Sequence, residues 1–172
     1  MWESAPEAMR AALARHDEIV KTAVELHGGR VFATGGDGFA AAFGRAGDAL
    51  GAAVDAQTSL SGEPWPADAP IVVRMGLHTG EVEERDGDYF GSAVNRAARL
   101  MALGHGGQVL CSQATAALVD GEAALIDLGE HRLRDLDRPM HAFQVGDHRA
   151  AYETRRACTA ALRLGSCLGT AS

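Results

Sequence analysis

The chain reads as an α+β domain in which helices pack against a mainly antiparallel sheet, and three features predict this. Apolar residues recur at helical spacing in several separate segments. Short β-rich runs such as "RVFAT", "FAAAF", "QVLCS" and "HAFQV" lie between them, bounded by glycine-bearing turns. The resulting order, α, ββ, α, β(β), α, β, α, ββ, is that of an α+β sandwich. At 172 residues and 47% hydrophobic content, the chain holds one domain with a real core and is too short for two comfortable ones.

From Ser4, which can cap a helix, Met9, Leu13, His16, Val20 and Ala23 recur at intervals of three or four, and Gly28 and Gly29 stop the run. "RVFAT" and "FAAAF" then make two strands around "GGDG", a glycine turn compatible with a hairpin. A second helix is expected from about Asp48 to Leu60, followed by a proline-rich surface link, "SGEPWPADAP". "IVVRMGLHTGEVEE" is a long strand candidate with Ile71, Val73, Met75 and Leu77 on one face, broken by "ERDGD". "SAVNRAARLMAL" has helical spacing with Val94, Ala98 and Met101 inward, and "HGG" ends it. "QVLCS" reads as a buried strand, "SQATAALV" as a short helix opened by Ser112, and "ALIDLGEHRL" with "HAFQV" as a closing strand pair. Residues 148–172 change character and form a tail, helical or without fixed structure; "LGSCLGTAS" lacks the lysine of a phosphate loop.

A formal charge of −7 argues against duplex nucleic acid, whose binders need a basic face. A nucleotide held through metal ions stays compatible with that charge. Cys111, Cys158 and Cys167 are odd in number and unpaired in spacing, which points to structural thiols in a reduced, cytoplasmic compartment. No apolar run approaches the ~20 residues that span a bilayer, so neither a membrane nor a nucleic acid is an expected partner.

The residues that can carry chemistry begin with Asp37, alone between glycines at the expected hairpin tip, where turn chemistry is the ordinary reading. Asn95 and Arg99, one helical turn apart, project from one face of "SAVNRAAR", and Asp88 precedes them in a glycine-bearing loop. An Asn/Arg pair by itself is an ordinary solvated face. His78 reads as a hydrogen-bonded structural histidine. "GGDGF" is also similar to the "GGDEF" hairpin of diguanylate cyclases, but Gly38 stands at its acidic fourth position.

The combination of "TGGDGF" with "DYFGSAVNRAAR", together with "HGGRVF", "RMGLHTGE", "GGQVLCSQAT" and "LGEHRLRDL", resembles the catalytic domain of class III adenylate and guanylate cyclases over residues 2–147. The resemblance implies a ferredoxin-like nucleotidyl cyclase fold, a homodimer with shared sites, and conversion of ATP, less readily GTP, to a cyclic nucleotide. It implies a two-ion magnesium or manganese site with Asp37 as a ligand. Asp88 would read the adenine edge, because a carboxylate accepts from an exocyclic amine and repels a carbonyl. Asn95 would orient the ribose and Arg99 would meet charge building on the α-phosphate. Such ions suit oxygen ligands and assist both ends of an in-line displacement.

Two departures accompany the resemblance. The family's other metal aspartate lies on a first strand, in a pattern like F-x-D-I-x-x-S-T, ahead of the residues matching "WESAPEAMRAAL"; that strand and carboxylate are expected to be missing. Ala33 stands where adenylate cyclases usually carry a base-selecting lysine. For the family's phosphate-touching lysine, Arg132 and Arg134 are the nearest cations. The expected function is therefore a cyclase-type domain of intracellular signal transduction with weak or absent activity, the alternative being a non-catalytic nucleotide-binding or dimerisation module of a regulator.

Overall fold

The computed structural model describes residues 6–35, 38–136 and 138–146. The Ser4 cap and the 148–172 tail lie outside them.

Helix α1 (Pro6–Leu26) buries a stripe of Met9, Ala12, His16, Ile19 and Ala23, with Leu13 and Val20 half-buried on its flank. It ends where Gly28 takes φ +68 and the Gly28 and Gly29 amides donate back to Glu25 and Val24 carbonyls at 3.0 and 2.8 Å. Strands β1 (Arg30–Gly35) and β2 (Gly38–Ala42) pair antiparallel, with a bulge between Val31 and Ala33. Helix α2 (Ala46–Gly62) packs on α1, and the Trp65 indole N–H donates to the Leu60 carbonyl (2.9 Å) at its C-terminal end.

Strands β3 (Met75–Leu77), β6 (Val109–Ser112), β7 (Leu125–His131) and β8 (Met140–Val145) make one sheet in the order β3-β6-β8-β7; β3 and β6 run parallel and the other neighbours antiparallel. Alternation along β6 sends Val109 and Cys111 toward Leu50 and Ala53 of α2, and Leu110 the other way toward Leu100 of helix α3 (Ser92–Leu103). The strand is covered on both faces, and all four of its residues are buried. The run "VLCS" is accordingly apolar without alternation. Ser112 caps the short helix α4 (Gln113–Ala116), its hydroxyl accepting from the Thr115 amide, as its position in the sequence suggests.

The long strand expected from Ile71 to Glu84 is not formed. Only β3 enters the sheet, and the chain then leaves through residues 78–82 to a separate hairpin, β4 (Glu83–Arg85) and β5 (Asp88–Phe90). Asp86 and Gly87, at φ 52 and 82, make its two-residue turn. Alternating apolar residues without a continuous ladder do not make a strand: the Val73 carbonyl accepts from the Gly107 amide and the Gln57 side chain, while Ile71 packs against Met9, Ala12 and Ala69 near α1.

Helix α3 is also rotated from expectation. Ala93 and Leu100 are buried and Ala98 is exposed. A side chain at Gly76 would lie 2.6 Å from the Met101 amide nitrogen and 2.8 Å from the Ala97 carbonyl oxygen, so the backbone of α3 rests directly on β3. That seat, not the count of apolar residues, sets which face turns inward.

Candidate functional site

Asp88 opens β5 opposite Arg85, half-buried, and its Oδ1 accepts from the Tyr89 amide at 2.8 Å. The next side chain, Tyr89, meets Phe32 of β1 edge-on with ring centroids 5.1 Å apart. Arg30 adds a long ion pair to Glu84 at 3.9 Å and lies against Gly87. The hairpin carrying Asp88 is thus docked on the hairpin carrying Ala33. Gly91, at φ 129, then turns the chain into α3 in a conformation open to glycine.

With Ala93 and Leu100 facing the sheet, Asn95 and Arg99 point outward, one turn apart. Asn95 is exposed. The Arg99 Nη2 donates to Asp135 Oδ2 at 2.7 Å, with 42% and 62% of the two side chains exposed. Asp135 stands at φ 59 in the turn between β7 and β8, and the Arg134 Nε is 3.8 Å from the same oxygen. The structure therefore brings Asp88, Asn95 and Arg99 onto one continuous stretch, β5–Gly91–α3. Ala33 lies exposed on β1 beside the bulge, paired with Ala40, and offers only a methyl group. Asp37 lies outside the described residues; the last described pair of its hairpin is Gly35 with Gly38.

Asp135 was not singled out from the sequence. It is 36 residues from Arg99, and nothing local links the two; Asp137 shares its place between Arg134 and Arg138, so the sequence does not single it out.

Among the described residues no three His, Cys, Asp or Glu side chains converge to hold a metal ion. These donors alone do not fit a two-ion site. His78 does have the structural role expected of it. Its Nδ1 is 2.8 Å from the hydroxyl of the buried Ser112, which belongs with buried Thr115 and half-buried Thr79 to a hydroxyl cluster. Desolvation, helped by the charge of Arg96, holds the ring below the ordinary histidine pKa and keeps it neutral near pH 7. Burial pushes the Cys111 thiol up to about 11, so it stays protonated and unreactive. No described helix is long and apolar enough to cross a membrane.

Residues 1–145 match the family described as the adenylate and guanylate cyclase catalytic domain. An uncharacterized protein of Mycobacterium tuberculosis is 48% identical over 152 residues, covering 84% of this chain and 50% of the relative. A putative adenylate cyclase of Rhizobium meliloti is 35% identical over 133 residues, 75% of this chain and 23% of that one. The chain thus spans about half the length, or less, of these curated relatives. Among solved structures, the adenylate/guanylate cyclase/hydrolase of Silicibacter pomeroyi superposes with a TM-score of 0.68 at 32% identity, covering 75% of this chain and 77% of that chain. A Trypanosoma brucei adenylate cyclase in its monomeric state reaches 0.77 at 23% identity, covering 84% and 82%, a likeness of fold.

Proposed function

The chain belongs to the family of adenylate and guanylate cyclase catalytic domains, and on that footing we propose that it is a nucleoside-triphosphate cyclase module of cytoplasmic signalling. ATP, in preference to GTP, is the proposed substrate, and turnover by this chain alone is weak or absent. The observation that carries the reading is the row Asp88, Asn95 and Arg99, with the Arg99 guanidinium already engaged by an anionic oxygen at 2.7 Å. A group that holds a carboxylate in this way can hold a phosphate oxygen by the same fork of N–H donors.

In the proposed reaction the ribose 3′-oxygen attacks the α-phosphorus, its proton passes to water, and the bond to the β-phosphate breaks to release pyrophosphate. Asn95 orients the ribose. Arg99 stabilises charge that grows on the α-phosphate in the transition state, and Arg134, which shares the Asp135 carboxylate with it, is the candidate for the remaining phosphates. Asp88 accepts from the adenine amine. Asp37 is the proposed carboxylate for a divalent ion, magnesium or manganese, which when bound neutralises phosphate charge. A symmetric homodimer would bring the Asp37 hairpin of one copy to the α3 helix of the other.

A second reading has its own support. The methyl group of Ala33 at an exposed position of β1, in place of a base-selecting cation, favours a nucleotide-binding or dimerisation module without turnover. Incubation of concentrated protein with manganese and ATP, read by chromatography for cyclic AMP, separates the two. On the cyclase reading slow product formation is expected, and Arg99→Ala removes it, since losing a preorganised donor of this kind costs about 3–4 kcal/mol of barrier. No product at high protein concentration rejects catalysis by this chain.

A further inference from the structure

We infer that Asp135 is an internal competitor for the anion site: its carboxylate occupies Arg99 in the ligand-free chain and must give way when a phosphate group binds. This inference rests on the reading of Arg99 as a phosphate-binding residue. Three observations carry it. The contact is short, 2.7 Å from Nη2 to Oδ2, so it is a charge-assisted hydrogen bond and not a distant attraction. A second guanidinium, that of Arg134, stands 3.8 Å from the same oxygen, so one carboxylate oxygen sits among two cations as a bound anion would. Both partners are substantially open to water, 42% and 62% exposed, which leaves the site reachable and the pair weak enough to exchange.

The backbone supports the assignment. Asp135 lies in the left-handed region, φ 59, in a turn closed by the Leu136 amide on the Leu133 carbonyl at 3.3 Å. Asp and Asn enter that region more readily than other side-chain-bearing residues, so Asp135→Asn keeps the turn while removing the charge. An incoming phosphate meets two effects of Asp135, competition for the N–H donors of Arg99 and repulsion between like charges. An exposed pair sets the scale of both, and relief of the competition is expected to tighten anion binding about two- to five-fold.

The test is calorimetric titration of the full chain with inorganic triphosphate, at low and moderate salt, for the wild type, Asp135→Asn, Arg99→Gln and the double variant. Asp135→Asn is expected to bind about two- to five-fold more tightly, Arg99→Gln more weakly, and the Asp135 change is expected to have little effect once Arg99 is gone. A gain of equal size in the Arg99→Gln background would overturn the inference, because that is a general charge effect without competition. Unchanged or weaker binding by Asp135→Asn, with Arg99→Gln still harmful, overturns it too while leaving the phosphate role of Arg99 intact. Arg99-dependent binding that improves in Asp135→Asn, combined with no cyclic AMP from ATP and manganese in the separate turnover assay, supports the inference and rejects catalysis. Triphosphate binding that ignores Arg99 in every variant overturns both.

Discussion

The two sides of this molecule are built to different standards. Strand β6 is buried along its whole length, between Leu50 and Ala53 of α2 on one face and Leu100 of α3 on the other. Strand β4 is exposed along its whole length, and among the described residues the β4–β5 hairpin that carries Asp88 meets the rest through the Phe32–Tyr89 contact, the Arg30 side chain at Glu84 and Gly87, and its continuation into α3. The difference teaches where precision comes from. The outward residues of α3 are held by a helix seated on the sheet, whereas Asp88 rides on an element with few buried contacts, the kind that opens locally at low free energy. Such an element suits the base-reading role proposed for Asp88, a group that would have to adjust to its ligand.

Substitutions in β6 and in β5 separate the two regions most directly. Leu110→Ala in β6, 1% exposed, is expected to cost about 2–5 kcal/mol in denaturant unfolding. Phe90→Ala in β5, 47% exposed, is expected to stay within about 0.5 kcal/mol. Equal costs would show that the hairpin belongs to the same cooperative core after all. Gly76→Ala sharpens the point, since its methyl group must displace the α3 backbone at Met101 and Ala97. About 1–3 kcal/mol of destabilisation is expected, with a loss of Arg99-dependent triphosphate binding that Leu110→Ala, assayed below its unfolding range, does not show.

The smallest expected effect concerns pH. His78 is held below its ordinary value of 6.5 by desolvation first and Arg96 second. Its folded form therefore binds a proton less readily than the unfolded chain. Stability is full above about 6.5 and declines as pH falls through the folded value, where the unfolded chain is favoured by protonation. His78→Gln, which keeps a hydrogen-bonding group near Ser112, is expected to flatten that part of the curve measured by urea midpoints. A slope unchanged by the substitution would assign the decline to other groups.

Much of the fold was legible because its signals are local. Gly28 stops α1, "ERDGD" breaks the chain, Ser112 caps α4, and an apolar run without alternation marks β6; each depends on neighbours within a few positions. The errors share the opposite cause. Ile71 and Val73 alternate like a strand, but Val73 meets the Gly107 amide ahead of β6 while Ile71 turns to Met9, Ala12 and Ala69, so no continuous ladder forms among the described residues, and a strand needs one. The face of α3 was misjudged at Ala98 because a helix rich in alanine offers several nearly equal apolar stripes, and Gly76 of a different element selects among them.

The same division governs the candidate site. Asp88, Asn95 and Arg99 were visible from the sequence because one short segment carries all three at fixed spacing, and a helix turns spacing into a shared face without outside help. Asp135 became visible only when the β7–β8 turn was brought to α3 across 36 residues of chain. The amino-acid sequence by itself determined the order of elements and the chemical types on the outer face of α3, since helix period and turn conformation are set within a few residues. Tertiary packing alone decided how α3 is rotated, where β3 ends, and which carboxylate meets Arg99, because each depends on surfaces that touch only after the chain has folded.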